Sequence, residues 1–266
     1  MSATLETQAA GCSVGSATLL QSVSARFAAG QFTAILGPNG AGKSTLLSLL
    51  CGQRKPSQGR VQLDGQALEA YPPLRMARRR ALLPQDLSVA FDYTVQDVVE
   101  LGRYPHRQQP SQPPGPSEAE IVQRAMQATG VQALAQRVLN TLSGGERARA
   151  QLARVLAQIW EPVPDGQSRW LLLDEPTAAL DLHHQHAVLR LARRWAVDHG
   201  VGVVAVLHDL NLALRYADQV LLLQDGKVQA DGPPAQVLSA DTVRRIWQVD
   251  VHPVRDADGS LQLLMA

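Results

Sequence analysis

A glycine-rich segment, GPNGAGKST at Gly37–Thr45, restricts the possible folds more than any other part of the chain. It follows the apolar run Phe32–Leu36 and precedes a run with helical periodicity. The pattern G-x-x-x-x-G-K-S/T between a strand and a helix is typical of a loop whose backbone N–H groups surround a phosphate. The alternative is an ordinary glycine-rich turn, against which the strand–loop–helix context argues. We therefore expect an α/β domain that binds phosphate groups.

The residue types of this segment suit a bound nucleotide. The glycines allow the backbone to pass close to an anion, and Lys43 can place its charge on the β- and γ-phosphates. The hydroxyl of Ser44 can ligate Mg²⁺. The predicted phosphate-binding residues are Gly37, Pro38, Asn39, Gly40, Ala41, Gly42, Lys43, Ser44 and Thr45.

Strand and helix patterns alternate over much of the chain. The runs QFTAILG, RWLLLDE, GVGVVAVLHD and DQVLLLQDG are short and largely apolar, which is typical of buried strands in a parallel sheet. Amphipathic segments such as KSTLLSLLCG and HQHAVLRLARRWAVDHG predict helices between them. QDGKVQADG predicts a hairpin, and RRIWQVDVHPVRDADGSLQ predicts a helix followed by a small hairpin.

The middle of the chain has a different pattern. From about Gln85 to Ala157, strand-like runs are scarce. Helical periodicity predicts three helices there, in TVQDVVELGR, SEAEIVQRAMQATGV and LSGGERARAQLARVLAQI. The segment PHRQQPSQPPGPS predicts a connector without regular structure. We expect one domain over residues 1–266, with residues 1–85 and 158–266 as an α/β core and residues 86–157 as a helical subdomain.

Composition and charge argue against several classes of protein. With 25 Lys and Arg against 24 Asp and Glu, the chain lacks the basic excess of a general nucleic-acid binder, so we expect no nucleic-acid partner. Two cysteines, Cys12 and Cys51, do not form a disulfide framework and favour a reducing compartment. We expect neither a secretory signal nor a membrane-spanning helix, because no run of about 18 apolar residues occurs.

Polar residues at the ends of predicted strands are candidates for catalysis. In RWLLLDEP, Asp174 lies at the carboxyl end of a strand, where ligands bind in open α/β sheets, and can hold Mg²⁺ through water. Glu175 can orient and deprotonate an attacking water. His208 follows a second strand and can contact a γ-phosphate, and Gln85 can contact metal or water. Taken alone, His208 and Gln85 would be interpreted as ordinary strand-end and surface residues.

A second segment, LSGGERARAQLARVLA, also begins a predicted helix with groups that suit a phosphate. Ser143, Gly144 and Gly145 precede the helix, whose first N–H groups are free and whose N-terminal end carries a partial positive charge. One domain would then carry two phosphate-binding helix starts.

An ordered set of motifs resembles the ATP-binding subunits of ATP-binding cassette (ABC) transporters over nearly the whole chain. The set consists of GPNGAGKS, Gln85, LSGGE, LLLDEP, ALD at Ala179–Asp181 and His208. The resemblance implies a P-loop NTPase (RecA-like) α/β core with a mixed, largely parallel sheet and a helical signature subdomain. It implies ATP and Mg²⁺ as cofactors, with Glu175 as the catalytic base. The other implied roles are the Q-loop residue Gln85, the switch histidine His208, the signature residues Ser143, Gly144, Gly145 and Glu146, the D-loop residue Asp181, and the Mg²⁺ ligands Ser44, Gln85 and Asp174.

The resemblance also explains the second phosphate-binding segment. In ABC ATPases two subunits pair head-to-tail, and the signature of one covers the γ-phosphate on the phosphate loop of the other. It implies three partners: a second copy of this chain, a transmembrane permease dimer, and a periplasmic binding protein that acts through the permease. The expected location is the cytoplasmic face of a bacterial inner membrane, with the permease supplying the membrane-spanning part.

One departure from the family concerns the adenine base. The family usually carries an aromatic residue upstream of the phosphate loop, at a position that falls near Cys12, but no aromatic residue occurs before Phe27. We therefore expect aliphatic groups such as Val14 to contact the base, with weaker packing than an aromatic ring gives.

Local segments indicate the transported substrate. Two segments, TVQDVVELGRYPH and LDLHHQ, resemble those in the ATPases of importers for iron–siderophore complexes, haem and vitamin B12. The resemblance implies that the segment from Gln85 to about Arg107 frames the groove that receives the permease. The long connection WEPVPDGQSRW resembles the haem importer ATPases, although a neutral loop insertion would look the same. Ferric siderophore and vitamin B12 stay open as substrates. A soluble ABC ATPase of DNA repair or translation is a further alternative, but those proteins usually carry coiled-coil insertions or two fused cores.

Two remaining segments have ordinary interpretations. We expect HHQH at His183–His186 to be a solvated helix face rather than a metal site, and RMARRR at Arg75–Arg80 to be a surface run beside the sheet.

Overall fold

The computed structural model describes residues 3–85, 91–107, 115–163, 166–257 and 259–265. The chain forms two compact units, one of residues 1–70 and 193–266 and one of residues 71–192. Parts of three predicted segments lie outside the described residues: residues 86–90 after Gln85, residues 108–114 of the Pro/Gln-rich connector, and residues 164–165 of the long connection.

The order of elements follows the predicted alternation. The first unit begins with β1 (Thr4–Val14), β2 (Ala17–Ala28), β3 (Phe32–Leu36), α1 (Lys43–Leu50), β4 (Gln58–Leu63) and β5 (Gln66–Ala67). The second unit contains α2 (Pro73–Arg79), β6 (Arg80–Leu83), α3 (Val95–Leu101), α4 (Glu118–Ala128), α5 (Gly144–Gln158) and β7 (Trp170–Asp174). Helix α6 (Leu182–His199) contains the boundary between the units. The first unit ends with β8 (Gly202–Val206), α7 (Leu210–Tyr216), β9 (Gln219–Gln224), β10 (Lys227–Gly232), α8 (Pro234–Val237), α9 (Ala240–Trp247), β11 (Val251–Arg255) and β12 (Leu261–Met265).

The first unit contains a mixed sheet with the strand order β10-β9-β3-β8. Strand β3 pairs in parallel with both β8 and β9, whereas β10 returns antiparallel to β9 as the predicted hairpin. Every residue of β3 and β8 is buried, which explains why their sequences are continuous apolar runs rather than alternating ones. The helix α9 and the hairpin β11–β12 confirm the prediction for the C-terminal segment.

The first unit also contains an antiparallel sheet of order β2-β1-β4-β5, which the sequence patterns did not predict. Its long strand β1 changes register against β2 between Thr7 and Ala10 and again on either side of Cys12. Ala9 has a positive φ of 47° within this irregular stretch. Such bulges interrupt the alternation by which a half-buried strand is predicted from sequence.

The second unit contains the parallel pair β6–β7 and the helices α3, α4 and α5. Buried apolar side chains of these three helices form one cluster, which includes Val99, Ile121 and Ala153. Thr94 caps α3 and Asp97 completes the capping box. Helices α3 and α4 lie within the predicted helical subdomain, and α5 ends one residue beyond it, at Gln158. The predicted boundaries at residues 85/86 and 157/158 stay predictions.

The prediction that RMARRR is a surface run is wrong for Arg79. This side chain is 0% exposed, and its Nε donates to the carbonyl O of Ser168 at 3.1 Å. A guanidinium can be buried where backbone carbonyls accept its N–H groups, so a cluster of arginines does not by itself indicate a solvated face.

Among the described helices, none combines the length and the apolar character that crossing a bilayer requires.

Candidate nucleotide-binding site

The phosphate loop connects β3 to α1 in the first unit. Gly37 has a φ of 149° and Gly42 a φ of 95°, both in the region that favours glycine. A Cβ on Gly37 would collide with the carbonyl O of Leu223, and one on Gly42 would lie 2.6 Å from Leu20 Cδ2. The close approach of the loop to neighbouring strands therefore requires glycine at both positions.

Lys43 is the first residue of α1 and is 6% exposed. Its ammonium group donates to the carbonyl oxygens of Gly37 and Pro38, each at 2.9 Å. The loop thus holds a positive charge at its own centre, next to the free N–H groups at the start of α1. Ser44 follows on the exposed side of the helix.

Glu175 and Gln85 lie together in the second unit. Glu175 directly follows β7, and Gln85 lies two residues beyond the end of the paired strand β6. Gln85 Nε2 donates to Glu175 Oε2 at 3.0 Å. Glu175 has a φ of 50°, which is uncommon for a residue with a side chain. The structure therefore brings the predicted base and the predicted Q-loop residue into direct contact, with Asp174 at the end of the same strand.

The signature segment begins α5. Ser143 is the N-cap and forms a capping box with Glu146: Glu146 N–H donates to Ser143 Oγ at 3.3 Å, and Ser143 N–H donates to Glu146 Oε2 at 2.9 Å. The N–H of Ser143, together with its hydroxyl 2.9 Å from the same oxygen, donates to the Glu146 carboxylate and lowers its pKa below the ordinary value. A Cβ on Gly145 would lie 3.3 Å from the carbonyl O of Ala179, so the signature contacts the ALD segment.

Asp181 caps the start of α6. Its Oδ1 accepts from the backbone N–H of His184 at 2.9 Å and lies 2.8 Å from His184 Nδ1, and these two contacts lower the pKa of Asp181. In the part of the chain that the structure describes, no group of three or more His, Cys, Asp or Glu could hold a metal ion.

His208 lies two residues beyond the end of β8, in the first unit, and is exposed. Asp209, the next residue, is the N-cap of α7 and accepts from the N–H groups of Asn211 and Leu212. In the region predicted to contact the base, Cys12 is 3% exposed and Val14 is 53% exposed. Of the two, only Val14 presents an accessible side chain.

One charged cluster is not evident from local sequence patterns. Arg103 is 2% exposed, and its guanidinium contacts Glu118 at 2.7 Å, Glu161 at 2.6 Å and the carbonyl O of Ala157 at 2.7 Å. Glu161 belongs to the long connection after α5. Burial, followed by the charge of Arg103, lowers the pKa of the nearby His106. Because Arg103 and Glu161 are 58 positions apart, local patterns do not reveal their pairing.

Comparison with known proteins decides the family. The sequence profile of the family described as ABC transporter matches residues 20–178, more than half of the chain. The chain belongs to the ABC transporter family. The predicted P-loop NTPase fold and the predicted ATP-binding, ATP-hydrolysing transporter subunit are therefore confirmed, and the roles of individual residues stay predictions.

Individual ABC relatives cover nearly the whole chain. It is 44% identical to the hemin import ATP-binding protein HmuV of Methylobacillus flagellatus over 98% of this chain and 96% of the relative. It is 50% identical to the protein of the same name from Nocardia farcinica, over 90% and 78%.

Solved ABC structures have the same fold. An ABC transporter of proposed metal-chelate type, in an inward-facing conformation, matches with a TM-score of 0.80 and 27% identity over 100% of this chain and 98% of the other. A dimeric bacterial ABC transporter cassette matches with a TM-score of 0.73 and 25% identity over 86% and 98%. Similar ABC subunits therefore occur both as cassette dimers and within complete transporters.

Proposed function

We propose that this ABC subunit hydrolyses ATP to drive a bacterial hemin importer. The observation that carries the proposal is the identity of 44–50% to hemin import ATP-binding proteins over 85–98% of the chain. The long connection after α5, which the sequence analysis found similar to that of haem importer ATPases, agrees with the proposal. The Glu161–Arg103 ion pair ties the start of this connection to the turn that follows α3.

The residues of this chain have distinct tasks in hydrolysis. Lys43 and the N–H groups of the phosphate loop bind the phosphates, which orients the γ-phosphate for attack. Glu175 accepts a proton from the attacking water, while Gln85, bonded to Glu175, orients that carboxylate. His208 contacts the γ-phosphate and distinguishes ATP from ADP.

The predicted Mg²⁺ ligands fit the ion chemically. Ser44, Gln85 and Asp174 offer a hydroxyl, an amide oxygen and a carboxylate, which are hard oxygen donors. Mg²⁺ commonly binds through one or two carboxylates plus substrate phosphates, so it does not require the dense acidic cluster that is absent from the described residues. When bound, the ion would neutralise phosphate charge.

The proposed assembly is a head-to-tail dimer attached to a transmembrane permease dimer, with a periplasmic binding protein acting through the permease. The subunit would then lie on the cytoplasmic face of the inner membrane as a peripheral protein. Exposed apolar side chains in α3 and on either side of it support docking to the permease: Phe91, Tyr93, Leu101 and Tyr104 are 68%, 39%, 47% and 65% exposed.

A second candidate substrate is a ferric siderophore or vitamin B12, favoured by the match to an ABC transporter of proposed metal-chelate type. The test is ATP hydrolysis by the complete transporter in liposomes, with the binding protein on the opposite side. We expect hemin-loaded binding protein to stimulate hydrolysis several-fold, and ferric siderophore or vitamin B12 to have no effect. Stimulation by either of those ligands, but not by hemin, would refute the hemin assignment.

A further inference from the structure

The side chain of Asn211 joins helix α7 to the C-terminal hairpin. The Asn211 Nδ2 group donates to the carbonyl O of Leu263 at 3.0 Å, and the N–H of Leu263 donates to Asn211 Oδ1 at 2.8 Å. The carboxamide thus satisfies both backbone groups of Leu263, as the peptide group of a neighbouring strand would.

The register of the hairpin makes these two backbone groups available. Leu263 on β12 lies opposite Pro253 on β11. In an antiparallel pair, opposite residues either exchange both hydrogen bonds or direct both backbone groups away from each other. Because Pro253 has no N–H to donate to Leu263, the second arrangement loses no hydrogen bond from proline. Leu263 itself is 5% exposed, so its backbone needs the partner that Asn211 provides.

Asn211 lies in the first turn of α7, three residues after His208. The backbone N–H of Asn211 donates to Asp209 Oδ1 at 2.7 Å, and the N–H of Leu212 donates to the same oxygen at 3.0 Å. The turn that follows His208 is therefore fixed twice, by its own cap and by the hairpin.

The other end of α7 is fixed as well. Arg193 donates to the carbonyl O of Tyr216 at 3.0 Å and pairs with Asp218 at 2.7 Å. Asp218 Oδ2 accepts from the N–H of Phe32 at 2.9 Å, at the start of the strand that leads to the phosphate loop. With the helix held at its C-terminal end, a change at Asn211 affects mainly the first turn and the adjoining His208.

We propose that Asn211 is a positioning residue for His208, and that the C-terminal hairpin holds His208 in its working orientation through Leu263. This inference rests on the proposed function, because it requires His208 to act on the nucleotide. Loss of the contact leaves the phosphate loop intact, so it slows the hydrolytic step without weakening ATP binding.

The test is a double-mutant cycle on ATP hydrolysis by the full-length chain. Asn211→Asp keeps the size of the side chain but replaces the Nδ2 donor with an oxygen that faces the Leu263 carbonyl. We expect kcat to fall roughly tenfold while KM for ATP changes less than about twofold. In a His208→Ala background the same change should lower kcat by less than about twofold, because the group it positions is gone. Leu264→Ser, at an exposed neighbour on β12, is the control and should leave kcat unchanged.

The possible outcomes separate the inference from the proposed function. An equal fall in kcat in both backgrounds, or an unchanged kcat in Asn211→Asp alone, overturns the positioning role. If the wild-type chain has no ATPase activity, or if His208→Ala retains full kcat, the role assigned to His208 in the proposed function is refuted. The positioning role of Asn211 is then refuted as well. If Asn211→Asp loses its cooperative thermal transition, the cycle is run with Asn211→Ser, which removes both amide contacts at a smaller volume.

Discussion

At the scale of single residues, Glu175 combines an uncommon backbone conformation with a specific side-chain contact. A residue with a side chain in the left-handed region costs roughly 1–2 kcal/mol relative to an ordinary conformation. Glu175 has a φ of 50° and accepts a hydrogen bond from Gln85. Contacts in the surrounding structure must offset the energetic cost of this backbone conformation. Sequence patterns placed Glu175 after a strand but could not predict its bond with Gln85, because the two residues are 90 positions apart.

Glu175→Gln should reduce ATP turnover by about 100-fold or more, because an amide cannot accept the proton of the attacking water. ATP binding, measured by equilibrium titration, should persist, since the phosphate loop is unchanged. Glu69→Gln, at an exposed glutamate of the first unit, is the matched control and should hydrolyse ATP normally. Turnover within a few-fold of wild type in Glu175→Gln would exclude Glu175 as the base.

At the scale of elements, two helices of the second unit begin with the same capping box. Ser117 pairs with Glu120 at the start of α4, and Ser143 pairs with Glu146 at the start of α5. The local bonds are of the same kind, so local energetics alone gives the two serines equal roles. Only the family resemblance, not the cap geometry, assigns nucleotide contact to Ser143.

Ser117→Ala and Ser143→Ala should therefore destabilise the chain by similar amounts, about 1 kcal/mol each, measured by thermal or urea unfolding. Their effects on ATP hydrolysis should differ, with Ser143→Ala losing turnover and Ser117→Ala retaining it. Equal turnover in the two variants would show that Ser143 acts only as a helix cap.

The ion cluster around Arg103 gives an element-scale prediction about pH. Hydrogen bonding to Arg103 holds the pKa of the Glu118 carboxyl below its ordinary value of 4.5. Because the folded-state pKa is the lower one, the stabilisation is complete above pH 4.5 and is lost as the pH falls through the folded-state pKa.

Glu118→Gln should consequently lower the free energy of unfolding at pH 7 by about 1 kcal/mol or less. The effect is small because the Glu118 carboxylate is half exposed and Arg103 retains its ion pair with Glu161. The difference from wild type should shrink as unfolding is measured at progressively lower pH below 4.5. Glu69→Gln, outside the cluster, should show no such trend. A difference that stays constant down to pH 3 would contradict the ion-pair interpretation.

The elements also show how far the sequence determines the fold. The buried strands β3, β7, β8 and β9 and the capped helices were predictable, because continuous apolar runs and local caps are short-range signals. The bulged strand β1, the burial of Arg79 and the Arg103 cluster were not. Bulges interrupt the alternation of β1. Arg79 and Arg103 have partners distant in sequence and belong to a residue type that is ordinarily exposed.

At the scale of the whole molecule, the predicted machinery is divided between the two compact units. The first unit carries the phosphate loop and His208, and the second carries Gln85, the signature, Asp174, Glu175 and Asp181. The family resemblance implies that the signature completes a site on another copy of the chain. The central claim is therefore that Ser143 acts in trans, on nucleotide held by the partner's Lys43.

Mixing two inactive variants tests this claim most directly. Lys43→Ala removes the phosphate-loop charge, and Ser143→Arg blocks the signature. Neither homodimer therefore contains an intact composite site. Lys55→Ala, at an exposed lysine, controls for the loss of a positive charge. In a head-to-tail heterodimer, the intact loop of one chain meets the intact signature of the other. We predict that each variant alone is inactive and that an equimolar mixture recovers up to roughly a quarter of wild-type ATP hydrolysis, since about half of the dimers would each hold one complete site. A mixture that forms dimers but stays as inactive as its components would contradict action in trans.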